Sequence, residues 1–134
     1  MKAEEIRRKR VSAFATLAEK EFEAARLLID THPEQAAYFL QQCLEKLLRG
    51  LLEMQEVASG PTHNIQQLAS LLTEAGDWRK RFSALDELSV AATRYRYPSP
   101  TGTIGTINRD RLMFLLGEVE ELKRDAGAVL TKFA

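Results

Sequence analysis

Hydrophobic positions recur every three or four residues along almost the whole chain, the spacing that gathers side chains on one face of a helix. From Phe14 the run is Phe14, Leu17, Ala18, Phe22, Ala25, Leu28 and Ile29. It stops at Asp30-Thr31-His32, and Pro33 suits the first turn of a second helix capped by Thr31 or His32. That helix turns Ala37, Leu40, Leu44, Leu47, Leu48, Leu51 and Met54 inward and is broken at Ser59-Gly60-Pro61. Thr62 or Asn64 can cap a short third helix with Ile65, Leu68, Leu71 and Leu72 inward, stopped near Gly76. A fourth is expected from Trp78 or Arg79 to about Thr93, with Phe82, Leu85, Leu88 and Ala92 on one face. The stretch RYRYPSPTGTIGTIN, rich in Pro, Gly and Thr, cannot continue it. The last helix carries the stripe Leu112, Leu115, Leu116, Val119, Leu122, Ala126, Val129 and Phe133. No strand-like alternation persists and no repeat is present. The pattern predicts an all-α, up-and-down bundle of about five helices in a single domain, 1–134, with 1–12 as a flexible basic N-terminus.

Charge changes this picture locally rather than globally. The 134 residues carry 19 Lys plus Arg and 19 Asp plus Glu, a net charge of zero. That excludes a polycation coating nucleic acid through bulk charge, and any anion site must be a patch. One such patch lies between Trp78 and Arg111. There Arg79, Lys80, Arg81, Arg94, Arg96, Arg109 and Arg111 face only Asp86, Glu87 and Asp110. The single Cys43 lies in an apolar run and reads as a small buried hydrophobe, with neither a disulfide nor a Cys-based zinc site open to it. There is no 18-residue apolar run, hence no membrane span, and MKAEEIRRKRV lacks the apolar core of a secretory signal; the expected compartment is the cytoplasm.

Catalytic motifs are sparse. The two histidines, His32 and His63, stand in separate turns with no metal-ligand spacing, and no nucleophile elbow, Walker A or dinucleotide fingerprint occurs. No cofactor is expected. Gly102-Thr103-Ile104-Gly105-Thr106 lacks the lysine and the preceding strand of a phosphate loop and reads as a connector. Two surfaces remain. On the second helix Gln42, Lys46, Arg49 and Glu53 share a face with Gln41 and Glu45 alongside; the plain reading is a solvated face with Glu45–Arg49 and Gln42–Lys46 pairs. In Arg94-Tyr95-Arg96-Tyr97-Pro98, two guanidiniums and two phenols could grip phosphate and stack on a base. The same residues could instead close a helix end and pack rings on the core.

Taken together, the segments AxxEFxxARLLI, AAYFLQQCLEKLLRGLL, Thr62-His63-Asn64-Ile65 and RYRYP resemble, in order and spacing from about Ala13 to Leu130, the HEPN domain family (higher eukaryote and prokaryote nucleotide-binding). The resemblance implies a helical bundle, usually a homodimer, often encoded beside a minimal nucleotidyltransferase in a toxin–antitoxin-like pair, with a nucleotide or RNA as ligand. Many members are metal-independent RNases marked by Arg, four to six residues, then His at the start of a late helix. Here Asn108-Arg109-Asp110-Arg111 is followed by Leu112, Met113, Phe114, Leu115 and Leu116, with no histidine. Arg26 and His32 have the spacing but end the first helix. The implied branch therefore lacks the RNase motif and binds without catalysis; an RNase with an atypical site and a ligand-free partner subunit are the alternatives. The resemblance gives Gln42, Glu45, Lys46, Arg49, His63, Arg94, Arg96 and Tyr97 as the candidate nucleotide or anion site.

Overall fold

The computed structural model describes residues 2–73 and 76–134. Five α-helices follow one another: α1 (Ala3–Leu28), α2 (Pro33–Met54), α3 (Ile65–Ser70), α4 (Trp78–Ser83) and α5 (Arg109–Phe133), with a 3-10 helix, Asp86–Ala92, between α4 and α5. No strand occurs among the described residues. The all-α bundle is as the periodicity predicts.

Helix α2 is the centre. It packs against α1, α5, α3 and the 3-10 helix. Its two apolar sides explain this: Ala36, Ala37, Leu40, Leu44, Leu47, Leu48, Leu51 and Leu52 are all buried. The long helices α1 and α5 supply Val11, Ala18, Phe22 and Ala25, and Leu112, Leu115, Val119, Leu122, Ala126 and Leu130, one stripe each. Small residues set the closest approach: a Cβ on Gly50 would lie 2.8 Å from Leu130 Cδ1 and 3.3 Å from Phe14 Cβ. Cys43 is fully buried, and burial pushes its thiol pKa far up, so it acts as a small hydrophobe.

Three expectations, at Leu17, at Leu71 and in the fourth helix, are corrected. The basic run at 1–12 lies in α1 from Ala3, where Arg7 pairs with Glu4 and Glu56 and Arg10 with Glu53 of α2. Leu71 is exposed rather than inward, because α3 ends at Ser70. Leu17, placed in the inward stripe of α1 by its spacing, is 41% exposed. The helix expected from Trp78 to Thr93 breaks at Ser83, where Leu85 leaves helical geometry (φ −106°, ψ 15°) and the chain tightens into the 3-10 turn.

That tightening has a use. A 3-10 helix eclipses side chains at i and i+3, and it sets Asp86 and Ser89 side by side, 2.9 Å apart. Both then reach the N-terminus of α3. Ile65 N donates to Ser89 Oγ at 2.9 Å, and Gln66 N donates to Asp86 Oδ1 at 2.9 Å. The local cap Asn64 accepts from Gln67 N at 2.8 Å. With Asn64 N donating to Thr62 Oγ1 at 3.1 Å, all four orphan amides of α3 are satisfied, two of them from the 3-10 helix. Asp86→Ala is expected to lower the unfolding free energy in urea by about 1 kcal/mol, with exchange protection lost first at α3; unchanged stability would contradict this capping.

Candidate functional site

The α2–α3 connection places most of the candidate residues. Glu45 lies on α2 facing residues 59–63 and is 5% exposed. A buried carboxylate must be hydrogen-bonded to persist. Its Oε1 accepts from Gln41 Nε2 at 3.1 Å and from His63 Nδ1 at 3.0 Å, and its Oε2 accepts from Arg49 Nε at 3.0 Å. Burial pushes the Glu45 pKa up, but the bonds from His63, Gln41 and Arg49 outweigh it and hold the carboxyl below its ordinary value. An ionised carboxylate only accepts, so His63 carries its hydrogen on Nδ1.

Arg49 uses four of its five donors within the chain. Besides Glu45 it donates from Nη1 to Ser59 Oγ (2.7 Å) and Gly60 O (2.8 Å), and from Nη2 to Thr62 O (2.5 Å). Gln41 donates also to His63 O at 2.8 Å. The turn at Gly60, with φ +69°, presents these carbonyls to the guanidinium. Lys46 reaches α1, donating to Glu21 at 2.8 Å, and Gln42 at 3.1 Å. The polar side of α2 is therefore not a solvated face. Glu45–Arg49 and Gln42–Lys46 do pair, but Gln41 and Glu45 are buried, because the 59–63 segment folds back over them. Gln42, Glu45, Lys46 and Arg49 hold the bundle together. His63 is tied at Nδ1, with its side chain 63% exposed.

The RYRYP segment is placed differently. It follows the 3-10 helix as turns, with Arg94 N bonded to Val90 O and Tyr97 N to Thr93 O. Tyr95 is half-buried; burial pushes its phenol pKa up. The Arg96 guanidinium lies 4.5 Å from the Tyr38 ring centroid and 5.8 Å from that of Tyr97, and donates to Tyr38 Oη at 3.2 Å. Tyr97 is 62% exposed. Tyr38 went unrecognised in the sequence; it stands one turn before Gln42 on α2, which was the available signal.

Ion pairing separates the basic residues of this half. Arg81 pairs with Asp125 at 2.8 Å, Arg109 with Asp30, and Arg111 with Glu87, whose carboxyl is held below its ordinary value chiefly by that hydrogen bond. Arg79 donates to the Leu72 carbonyl at 2.9 Å, closing the end of the α3 turn. Among the described residues Arg94 and Arg96 have no carboxylate within ion-pair distance. Stacked guanidiniums and exposed phenol rings can receive an anion carrying a flat base. Among the described residues no cluster of three His, Cys, Asp or Glu could hold a metal ion, and no helix is long and apolar enough to cross a membrane.

This combination defines a small α-helical domain with a cationic, aromatic ledge beside a central helix. The family model for the HEPN domain matches residues 11–132, and the chain belongs to the HEPN family. No curated protein and no solved structure matches the chain significantly. Membership supports a nucleotide- or RNA-related function in general, and HEPN domains commonly dimerise.

Glu45→Ala is expected to cost about 1–3 kcal/mol in chemical denaturation, since it removes the acceptor shared by the buried Gln41 amide and the half-buried Arg49 guanidinium, whereas His63→Ala is expected to cost under about 1 kcal/mol. The depressed Glu45 pKa means that the unfolded chain takes up its proton first. The stabilisation is therefore present above the ordinary value of 4.5 and lost as pH falls through the lower folded value. Glu45→Gln, measured across the same acid range, is expected to lose less stability on acidification than wild type; an equal loss would contradict the assignment.

Proposed function

We propose that this HEPN protein is a non-catalytic nucleotide- or RNA-binding module whose ligand rests on the ledge of Arg94, Arg96, Tyr97 and Tyr38. The supporting observation is that, among the described residues, Arg94 and Arg96 have no carboxylate partner and Arg96 lies over the half-buried Tyr38 ring near the exposed Tyr97, while Arg81, Arg109 and Arg111 are paired with carboxylates. Gln42, Glu45, Lys46 and Arg49 contribute by fixing α2 and, with it, Tyr38. His63 contacts Glu45, which lies seven residues after Tyr38 on α2, about 10 Å along the axis at 1.5 Å per residue.

The reading extends to a cytoplasmic homodimer acting beside a separately encoded minimal nucleotidyltransferase in a toxin–antitoxin-like pair, which the family resemblance suggests. Exposed apolar side chains favour self-association. Leu27 of α1 and Met113 of α5 stand 81% and 45% exposed, flanking the Arg109–Asp30 pair that joins these helices. Single apolar residues on a surface are common, but exposed ones near each other mark contacts.

Calorimetric titration with ATP, GTP and single-stranded RNA tests the ligand reading. Binding is expected at or below millimolar ligand, weakened at least tenfold by the Arg94→Ala/Arg96→Ala double variant. No heat with any of the three would overturn it, and metal-independent RNA cleavage abolished by Arg96→Ala would overturn its non-catalytic part. In light scattering at tens of micromolar the chain is expected to run as a dimer and Met113→Glu to shift it toward monomer; a monomeric wild type would count against self-association.

A further inference from the structure

Beyond the ledge, the loop after RYRYP builds a cleft of about 410 Å³, with Arg94, Tyr97, Ser99, Thr103 and Gly105 on its walls. The sequence reads this loop as a connector, yet it is tightly made. Ser99 N donates to Thr103 O at 2.8 Å, Gly102 N donates to Ser99 O at 2.8 Å, and Gly102 takes the left-handed φ of +85° that the turn requires. The turn brings the hydroxyls of Ser99 and Thr103 within 2.6 Å of each other. Gly105 then lies directly against Arg94: a Cβ there would meet Arg94 Cγ at 2.8 Å, Arg94 O at 3.2 Å and Tyr95 Cδ1 at 3.3 Å. Absence of a side chain at Gly105 is what lets the loop close on Arg94.

The result is the Arg94 side chain, with no carboxylate partner among the described residues, and the hydroxyls of Ser99 and Thr103, bonded to each other with Ser99 Oγ also accepting from Thr103 N at 3.0 Å, on the walls of one cleft. Tyr97 belongs both to this cleft and to the neighbourhood of Arg96, 5.8 Å from its ring. A guanidinium and hydroxyl donors suit phosphate oxygens, and a phenol ring suits a base. The charge distribution decides between a strand and a single nucleotide. A strand needs a row of free cations tracking its backbone. Around this cleft Arg111 and Arg109 are spent on Glu87 and Asp30, and farther along α2 Lys46 and Arg49 are spent on Glu21 and Glu45. Only Arg94 and Arg96 are then left free here among the described residues, too short a row to track a strand, and Arg94 in the cleft gains most from a terminal phosphate, which carries close to two negative charges at pH 7 where a chain-internal phosphate carries one.

We propose that this cleft is a terminal-phosphate pocket for a nucleoside monophosphate, the phosphate on Arg94 and the Ser99 and Thr103 hydroxyls, the base against Tyr97 and the Tyr38-stacked Arg96. The proposal rests on the ligand reading given under Proposed function and specifies which ligand the ledge takes. It is tested by calorimetry with AMP, adenosine, inorganic phosphate and a short oligoadenylate with hydroxyl ends. AMP is expected to bind at least tenfold more tightly than adenosine and more tightly than phosphate or the oligoadenylate. Arg94→Ala is expected to remove the advantage of AMP over adenosine, and Ser99→Ala, with its circular dichroism unchanged, to reduce that advantage several-fold. AMP no tighter than adenosine, or AMP binding untouched by Arg94→Ala, overturns the pocket. If the oligoadenylate binds more tightly than AMP and Arg96→Ala abolishes it, the pocket falls while the ledge stands. If neither nucleotide nor oligoadenylate binds, both fall.

Discussion

The Glu45 carboxylate constrains the rest of the molecule. Placed at 5% exposure on the central helix, it is stable only because Gln41, Arg49 and His63 replace the water it has lost. Those partners fix more than a charge. Arg49 spans from Glu45 to the carbonyls of Gly60 and Thr62, and Gln41 to that of His63, so the connection after α2 has one path back along the helix. That path delivers Asn64 and Ile65 to the place where Asp86 and Ser89 cap α3. The 3-10 helix carrying that cap leads directly into Arg94–Tyr97. The ledge is thus positioned at one remove by a buried carboxylate.

Two kinds of polar residue follow from this arrangement. On α2 the charges are consumed within the protein: Lys46 by Glu21, Arg49 by Glu45 and three loop oxygens. After the 3-10 helix they are not, since Arg96 meets aromatic rings and Arg94 meets glycine and hydroxyls. A guanidinium on a ring face keeps its charge available to an incoming anion, whereas a carboxylate partner neutralises it. The zero net charge of the chain is therefore compatible with anion binding, but only over a small area.

Much of the fold was legible because one principle governs it. The 3.6-residue period of α2 and α5 survives into their buried stripes, that of α1 does so except at the exposed Leu17, and Pro33 and the side-chain cap Asn64 open helices as their chemistry dictates. Other features depend on contacts that periodicity cannot carry. The pairing of Arg10 with Glu53 of α2, and of Arg7 with Glu56 just beyond it, joins residues far apart in sequence. The break at Ser83 reflects the demand of α3 for Asp86 and Ser89, a partner distant in sequence. The polar stripe of α2 has the spacing of a solvated face, and only the returning 59–63 segment converts Gln41 and Glu45 into core. Of the candidate site, RYRYP was legible from composition; Tyr38 and the Ser99–Gly105 cleft were not, because their roles come from a neighbouring helix and from a loop closing on Arg94.

In the proposed division of labour the polar residues of α2 hold the fold, and the residues around Arg94 and Arg96 are those proposed to meet the ligand. Nuclear magnetic resonance of the uniformly labelled protein titrated with AMP reads both groups at once, through arginine side-chain and backbone signals. The account predicts shifts at Arg94, Arg96, Tyr97, Ser99, Thr103 and Tyr38, with the Arg49 guanidinium and the Gln41 amide unmoved. Shifts centred on Arg49, Lys46 and His63, with Arg94 and Arg96 silent, would contradict it.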